Sequence, residues 1–387
     1  MQQLALYIII LLCIFKFLIQ SNMLPRFIFF SAALGLGTYG SAIYLNIDAR
    51  NIPFLQEIMY ASIAVGLYIN VLGIDRSILK GCLDSIAKVI FVGVPLKILI
   101  PGFLLSILSP QIRATSYLCA TVIAQIDPIA AGKSLECSKI SSKSATILRA
   151  WSSFDDPITV LFAFYIFLPA LLLENFNFAE YFISYILKDI IICFLVYQIY
   201  TIYQQKIIIK YRQKLIIDTI LIILTILYSI IFKSFLLPAT IGLFIRPFES
   251  EIFTRITSGI FLLSALILGL MSANVKLYWY SGFILAVATF FVAQIIVTQI
   301  FIKDSMNSKA RVMFGHQNGM TAMLLTIAIE MSASQETNNL LSVTLPAIIW
   351  IALFYFGSNY ILDRVLPSVK EESSANNIQN KISNRKI

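Results

Sequence analysis

The sequence predicts an all-α polytopic membrane protein, and three observations carry that expectation. Apolar residues make up 59% of the 387-residue chain and charged residues only 13%, a composition far from that of ordinary soluble domains. Apolar runs of about twenty residues, long enough to cross the hydrocarbon core of a bilayer, recur from end to end. Lys and Arg fall in the short connections between those runs and alternate in density from one connection to the next, as the cytoplasmic bias of basic residues requires. No long polar linker interrupts the runs, so residues 1–365 read as one transmembrane domain and 366–387 as a polar, disordered cytoplasmic tail.

About thirteen helices follow from reading apolar runs against charged punctuation. The first, Gln2–Ile19, has no basic n-region before it and no small-residue cleavage site after it, so it reads as a retained helix. Phe27–Asn46 and Gln56–Ile74 flank the connection holding Arg50, and Ile86–Leu108 follows Arg76 and Lys80. Ala114–Gly132 begins after Arg113 and is the first helix with a carboxylate at its middle. Ser144–Leu172 follows Lys133, Lys139 and Lys143, and Phe178–Tyr203 reads as a linker helix (178–203) between two halves, 2–172 and 213–364. Gln213–Phe232 starts the second half after Lys206, Lys210 and Arg212. Ser234–Ile245 is short, so twelve spans remain an alternative count. Ile252–Ala273, Tyr278–Ile302, Ser308–Ser332 and Ser342–Leu362 complete the set. Arg50, Arg113, Lys233 and Lys276 are the few basic residues on the opposite side, so the N-terminus is expected outside and the C-terminus in the cytoplasm.

The charge of +9 is explained by these loops. No basic patch with interleaved aromatics points to a nucleic-acid partner. The five cysteines, Cys13, Cys82, Cys119, Cys137 and Cys193, form no CxxC or Cys/His pattern, which argues against disulfides, zinc or redox chemistry and predicts no cofactor.

Three segments break the rules of lipid-facing helices. In "ATVIAQIDPIAAGK", Asp127 lies mid-segment, and Pro128 lacks an N–H and pushes the residue before it out of the helical region. The helix is expected to unwind there and to free the carbonyl of Ala124, which is tolerated at membrane depth only inside protein or beside a water-filled cavity. In "SSFDDPITVLF", Asp155 and Asp156 precede Pro157, which is expected to free the carbonyl of Ser153. A charge at the bilayer centre costs at least ~2.5 kcal/mol, so such a pair reads as functional. The third segment, "FGHQNGMTAML", gathers two glycines, Gln317, Asn318 and the only histidine, His316, in the twelfth helix. The fifth and twelfth helices run in opposite directions, and discontinuous segments in corresponding, inverted halves point to a secondary-transporter site.

Carboxylates, carbonyls and Ser or Thr hydroxyls suit hard cations. Asp155 and Asp156 are the candidate monovalent-cation and proton ligands, with Asp127, Ser152, Ser153, Ala124, Gln317 and Asn318 as ligands or support. A carboxylate that holds either a proton or a cation, never both, is the simplest chemistry of exchange. His316 titrates near neutrality in its unperturbed form and is a candidate pH sensor, with a satisfied helix-contact residue as the plainer reading. Lys188 and Asp189 read as a structural charge pair, and Glu330 and Asp218 as solvated helix-end carboxylates. "GLGTYG", Gly35 to Gly40, reads as helix packing.

These residues resemble the monovalent cation:proton antiporters. "AQIDPIAA" is similar to their Asp-Pro motif, and "WSSFDDPITVLF" to the following helix, in which an Asp-Asp pair marks the electrogenic branch. The order, the spacing of about thirty residues and the preceding "GLYINVLGID" also fit. The resemblance implies an inverted-repeat antiporter fold with two crossed discontinuous helices, a homodimer in the inner membrane, and exchange of Na⁺ (or Li⁺ or K⁺) for protons. It makes Asp156 the principal carrier, Asp155 its branch-specific neighbour, and Asp127 a half-helix cap. Ile126 stands where many members have Thr, Trp151 where the electroneutral branch has Glu, and Asn318 where that branch has Arg. The eleventh helix also lacks the basic residue usual in the electrogenic branch; Gln294 is its nearest polar residue. Lys97, at the middle of the fourth helix, is expected to supply that cation from the opposite half.

Two other classes could draw on the same residues. A sodium-coupled carrier of an organic anion would use the amides of Gln317 and Asn318, and an intramembrane aspartyl protease would use two carboxylates. The second lacks a Tyr-Asp with Gly-x-Gly-Asp arrangement, and no filter motif suggests a channel.

Overall fold

The structure is a computed structural model and describes residues 26–45, 47, 52, 54–72, 83–127, 140–173, 176–206, 211–247, 250–273, 275–332 and 340–365. The expected helix Gln2–Ile19, Pro128 with the rest of the fifth expected helix, and the 366–387 tail lie outside the described residues, as do Cys13, Cys82 and Cys137.

Thirteen helical elements run through the described residues, with no strand among them. They are α1 (Arg26–Leu45), α2 (Leu55–Leu72), α3 (Leu83–Leu108), α4 (Ser116–Ile123), α5 (Ser142–Leu172), α6 (Phe178–Gln204) and α7 (Tyr211–Phe232). The second half continues with α8 (Leu236–Gly242), α9 (Ser250–Ser272), α10 (Trp279–Phe301), α11 (Met306–Met313), α12 (Met320–Ser332) and α13 (Leu340–Val365). Eight are long and apolar enough to cross a membrane. The protein is a multi-pass membrane protein.

Charge and packing explain which helices line the centre. Helices α6 and α7 present Ile191, Phe194, Ile199, Ile223 and Leu227 outward, as lipid-facing surfaces do. One buried cluster joins α3, α5 and α10 through Ile98, Ile147, Trp151 and Val297. A larger one joins α2, α4, α12 and α13 through Leu67, Ile123, Leu325 and Val343. Helices α3 and α10 each contain a π-helical turn, Val89–Gly93 and Ala288–Ala293, a feature that often accompanies functional sites. They approach closely at Gly93, where a Cβ would fall 2.8 Å from Val297 Cγ1.

The N-termini of α5 and α11 are built alike and tied together. Ser141 and Ser305 are the N-caps, accepting from the amides of Ser144 and Ser308, which satisfies otherwise free N–H groups. The Ser141 amide donates to Ser308 Oγ at 3.0 Å, and the Asp304 carboxylate accepts from the hydroxyls of Ser141 and Ser144.

Three expectations are corrected. Pro157 does not unwind α5, which stays helical from Ser142 to Phe162; the Thr159 hydroxyl adds bonds to the carbonyls of Asp155 (2.9 Å) and Asp156 (3.0 Å). Lys188 and Asp189 do not pair: the carboxylate accepts from the hydroxyls of Tyr165 and Tyr228, while the Lys188 ammonium lies over the Phe232 ring. Glu330 and Asp218 are buried, and Glu330 accepts from the Leu341 amide at 3.2 Å. Position in sequence near a helix end did not reveal the neighbouring helix that covers each.

Candidate ion-binding site

The site forms where two helices stop. Helix α4 ends at Ile123 and the backbone is non-helical over 125–127; α11 ends at Met313 and α12 begins at Met320, leaving 314–319 non-helical. The two breaks cross. The Asp127 amide donates to the carbonyl of Gln317 at 2.8 Å. Asn318 Nδ2 donates to the carbonyls of Ile123 (2.9 Å) and Gln125 (3.0 Å), so one break satisfies backbone that the other exposes. The carbonyls tied in this way are those of Ile123 and Gln125; Ala124 is the turn residue between them. Gly319 makes the approach feasible, because a Cβ there would lie 2.5 Å from Asp127 Cγ.

Helix α5 carries both acids to this crossing. Adjacent helical residues point about 100° apart, and the two carboxylates accordingly have separate partners. Asp155, fully buried, accepts through Oδ2 from the Ile126 amide at 3.0 Å and from Lys97 Nζ at 3.4 Å. Asp156 accepts through Oδ2 from the Asn70 side-chain amide and from Thr321 Oγ at 2.9 Å. Thr321 lies in the first turn of α12, whose positive dipole end favours an anion.

Lys97 comes from α3 and is also fully buried. Its ammonium has three neighbours from three directions: Asp155, His316 Nδ1 at 3.2 Å, and the Trp151 ring with its centroid at 5.0 Å. An ammonium has no acceptor, so it donates to His316 Nδ1 and the ring proton of His316 then resides on Nε2. His316 is thus buried beside a cation and belongs to this cluster.

The remaining expected residues are less central. The Ser152 hydroxyl donates to the carbonyl of Arg149 at 3.1 Å, within its own helix, and Ser153 is buried beside it. Gln317 contributes its backbone carbonyl. Gln294 in α10 donates to the carbonyl of Val312 at 3.1 Å, at the end of α11. Three residues of the site were not singled out from the sequence: Asn70, Gln125 and Thr321. Asn70 had a visible signal, a lone amide inside the apolar run "GLYINVLGID"; Thr321 and Gln125 look like ordinary helix polar residues until the breaks are placed.

No family model matches the sequence, and no curated protein matches it. Among solved structures, the sodium proton antiporter MjNhaP1 from Methanocaldococcus jannaschii superposes with a TM-score of 0.70 over 94% of this chain and 98% of that one, at 15% identity. The chain has the fold of that antiporter. An identity this low carries the architecture, in which the two crossed discontinuous helices are the feature that positions the site, and the chemistry rests on the residues of this chain.

Proposed function

We propose that the protein is a secondary active antiporter that exchanges a monovalent cation, Na⁺ first and Li⁺ or K⁺ as alternatives, for protons across the cytoplasmic membrane. The observation that carries this reading is the pair Asp155 and Asp156, buried together at the crossing of two broken helices with Lys97, among the described residues, as the charged partner in hydrogen-bond reach. Asp155 and Lys97 compensate each other. Asp156 then leaves one negative charge, which either a proton or one alkali cation can neutralise. A site occupied by either can move between the two faces, whereas the empty one is held back by the cost of the further uncompensated charge it would carry into the membrane.

Exchange by Asp156 alone is one for one and moves no net charge. It becomes electrogenic if Lys97 also releases a proton when the cation enters, since the site then returns with two protons for each cation. The Lys97 contact with Asp155 supports the electrogenic form. The organic-anion alternative has less support, because both N–H bonds of the Asn318 amide are spent on backbone carbonyls.

The loop charges support an orientation with the N-termini of α5 and α11 facing the cytoplasm, and a homodimer is the assembly the resemblance implies. Reconstituted vesicles carrying a pH gradient test the function: adding Na⁺, Li⁺ or K⁺ dissipates the gradient if the reading is right, and no response to any of them rejects it.

A further inference from the structure

We propose that the side-chain oxygen of Gln125 is a ligand of the transported cation and sets the choice among alkali cations. The inference rests on the antiport reading and adds to it a residue that neither the Asp motifs nor the fold comparison identifies. Gln125 is 1% exposed and lies in the unwound stretch after α4.

The hydrogen-bond network fixes which way its amide points. The Thr159 hydroxyl has one proton, which goes to the carbonyls of Asp155 and Asp156. In this arrangement its oxygen accepts from the Gln125 NH₂ at 2.7 Å. This turns Oε1 elsewhere, and among the described residues nothing donates to it. The same logic applies to Asn318: its NH₂ caps two carbonyls, so its Oδ1 is the free atom, and it too has no donor. Asp155 Oδ1 is the third buried oxygen in this state.

These three acceptors belong to one bonded cluster. Asn318 holds the carbonyl of Gln125, Gln125 holds Thr159, Thr159 holds the carbonyl of Asp155, and the neighbouring Ile126 amide holds Asp155 Oδ2. A buried acceptor without a donor is costly, and native structures seldom leave several together. A hard cation removes the cost, since it takes carboxylate and neutral amide oxygens alike. Two neutral amides add ligands without adding charge, which leaves the single charge of a monovalent ion to balance Asp156. The anchor to Thr159 matters for selection: an oxygen that cannot swing toward a smaller ion or away from a larger one favours one radius.

The test uses the full-length protein in vesicles, with apparent KM and kcat measured for Li⁺, Na⁺ and K⁺. Gln125→Met keeps the length and apolar stem but removes the oxygen, and is expected to raise KM for the preferred cation roughly tenfold or more, as loss of one bond to a charged group does. The order of preference among the three cations is expected to change. Gln125→Glu, which restores an oxygen and, when protonated, a donor, is expected to recover KM. Wild-type KM values and order in Gln125→Met overturn the proposal. If that variant does not accumulate, Thr159→Val leaves the oxygen but frees it: a narrowed preference among the three ions supports the proposal, and an unchanged one overturns it. A wild-type protein that answers to no alkali cation removes the antiport reading together with this one, whereas exchange that ignores Gln125 removes this one alone.

Discussion

Replacing Lys97 by Met removes the basic group that, among the described residues, forms an ion pair with Asp155. At 3.4 Å and an effective dielectric of about 20, the attraction between Lys97 and Asp155 is about 5 kcal/mol. Most of this offsets the desolvation of the two ions, so the net value of the pair is small. Removing one partner is different: it leaves a buried charge uncompensated and costs about 3–5 kcal/mol. It also strips the donor from His316 Nδ1. Lys97→Met should therefore lower thermal stability in detergent, and Lys97→Arg should keep much of it while crowding the Trp151 face. Voltage is the functional assay. Each elementary charge moved is worth ~2.3 kcal/mol per 100 mV, so an imposed potential should change the wild-type exchange rate and leave that of Lys97→Met unaffected. An unchanged melting temperature together with unchanged voltage dependence refutes the role given to Lys97.

Three further outcomes follow from other contacts. Gly319→Ala places a methyl against Asp127 and should destabilise the crossing by about 1–3 kcal/mol, seen as a lower melting temperature with slower exchange; a melting temperature equal to wild type contradicts the close packing. Asn70→Leu removes a donor to the Asp156 carboxylate and should weaken cation binding by about 1.5–3 kcal/mol, read as KM in the vesicle assay, whereas an unaltered KM excludes Asn70 from the site. Burial raises the Asp304 carboxyl, but the hydroxyls of Ser141 and Ser144, the Ser305 amide and the charge of Lys143 outweigh it and hold the group below the ordinary carboxylate value. Its stabilising effect is thus complete above its unfolded pKa of about 3.9 and is lost as pH falls through the lower folded value. Asp304→Asn should flatten that acid limb of a melting-temperature profile, and an identical limb in the variant refutes the staple between α5 and α11.

Most of the helices were legible because apolar runs and charged punctuation report directly on the bilayer. Helix α6 was expected at 178–203 and runs Phe178–Gln204; α10 was expected at 278–302 and runs Trp279–Phe301. The two breaks were legible too, from Asp127 with Pro128 and from the polar cluster at 314–319. Pro157 misled, because a proline removes one N–H from a helix without having to unwind it, and α5 stays helical on both sides of Pro157. The partners of the acids were harder to see. Lys97 stood out as a charge with nowhere to go, but Asn70, Gln125 and Thr321 lie 86, 30 and 165 residues from Asp156 or Asp155, and only the crossing of the breaks brings them to one point. Asp189 shows the same limit: its sequence neighbour was Lys188, and its partners are Tyr165 and Tyr228 on other helices.

The central claim is that Asp156 alternates between a proton and a cation. The most direct test is Asp156→Asn in vesicles with an imposed pH gradient, because Asn keeps the size and the capacity to bond with Asn70 and Thr321 but cannot carry the alternating charge. Wild-type protein should dissipate the gradient on addition of the preferred alkali cation, and the variant, inserted at an equal level, should not. Cation-dependent dissipation by Asp156→Asn at the wild-type rate contradicts the account.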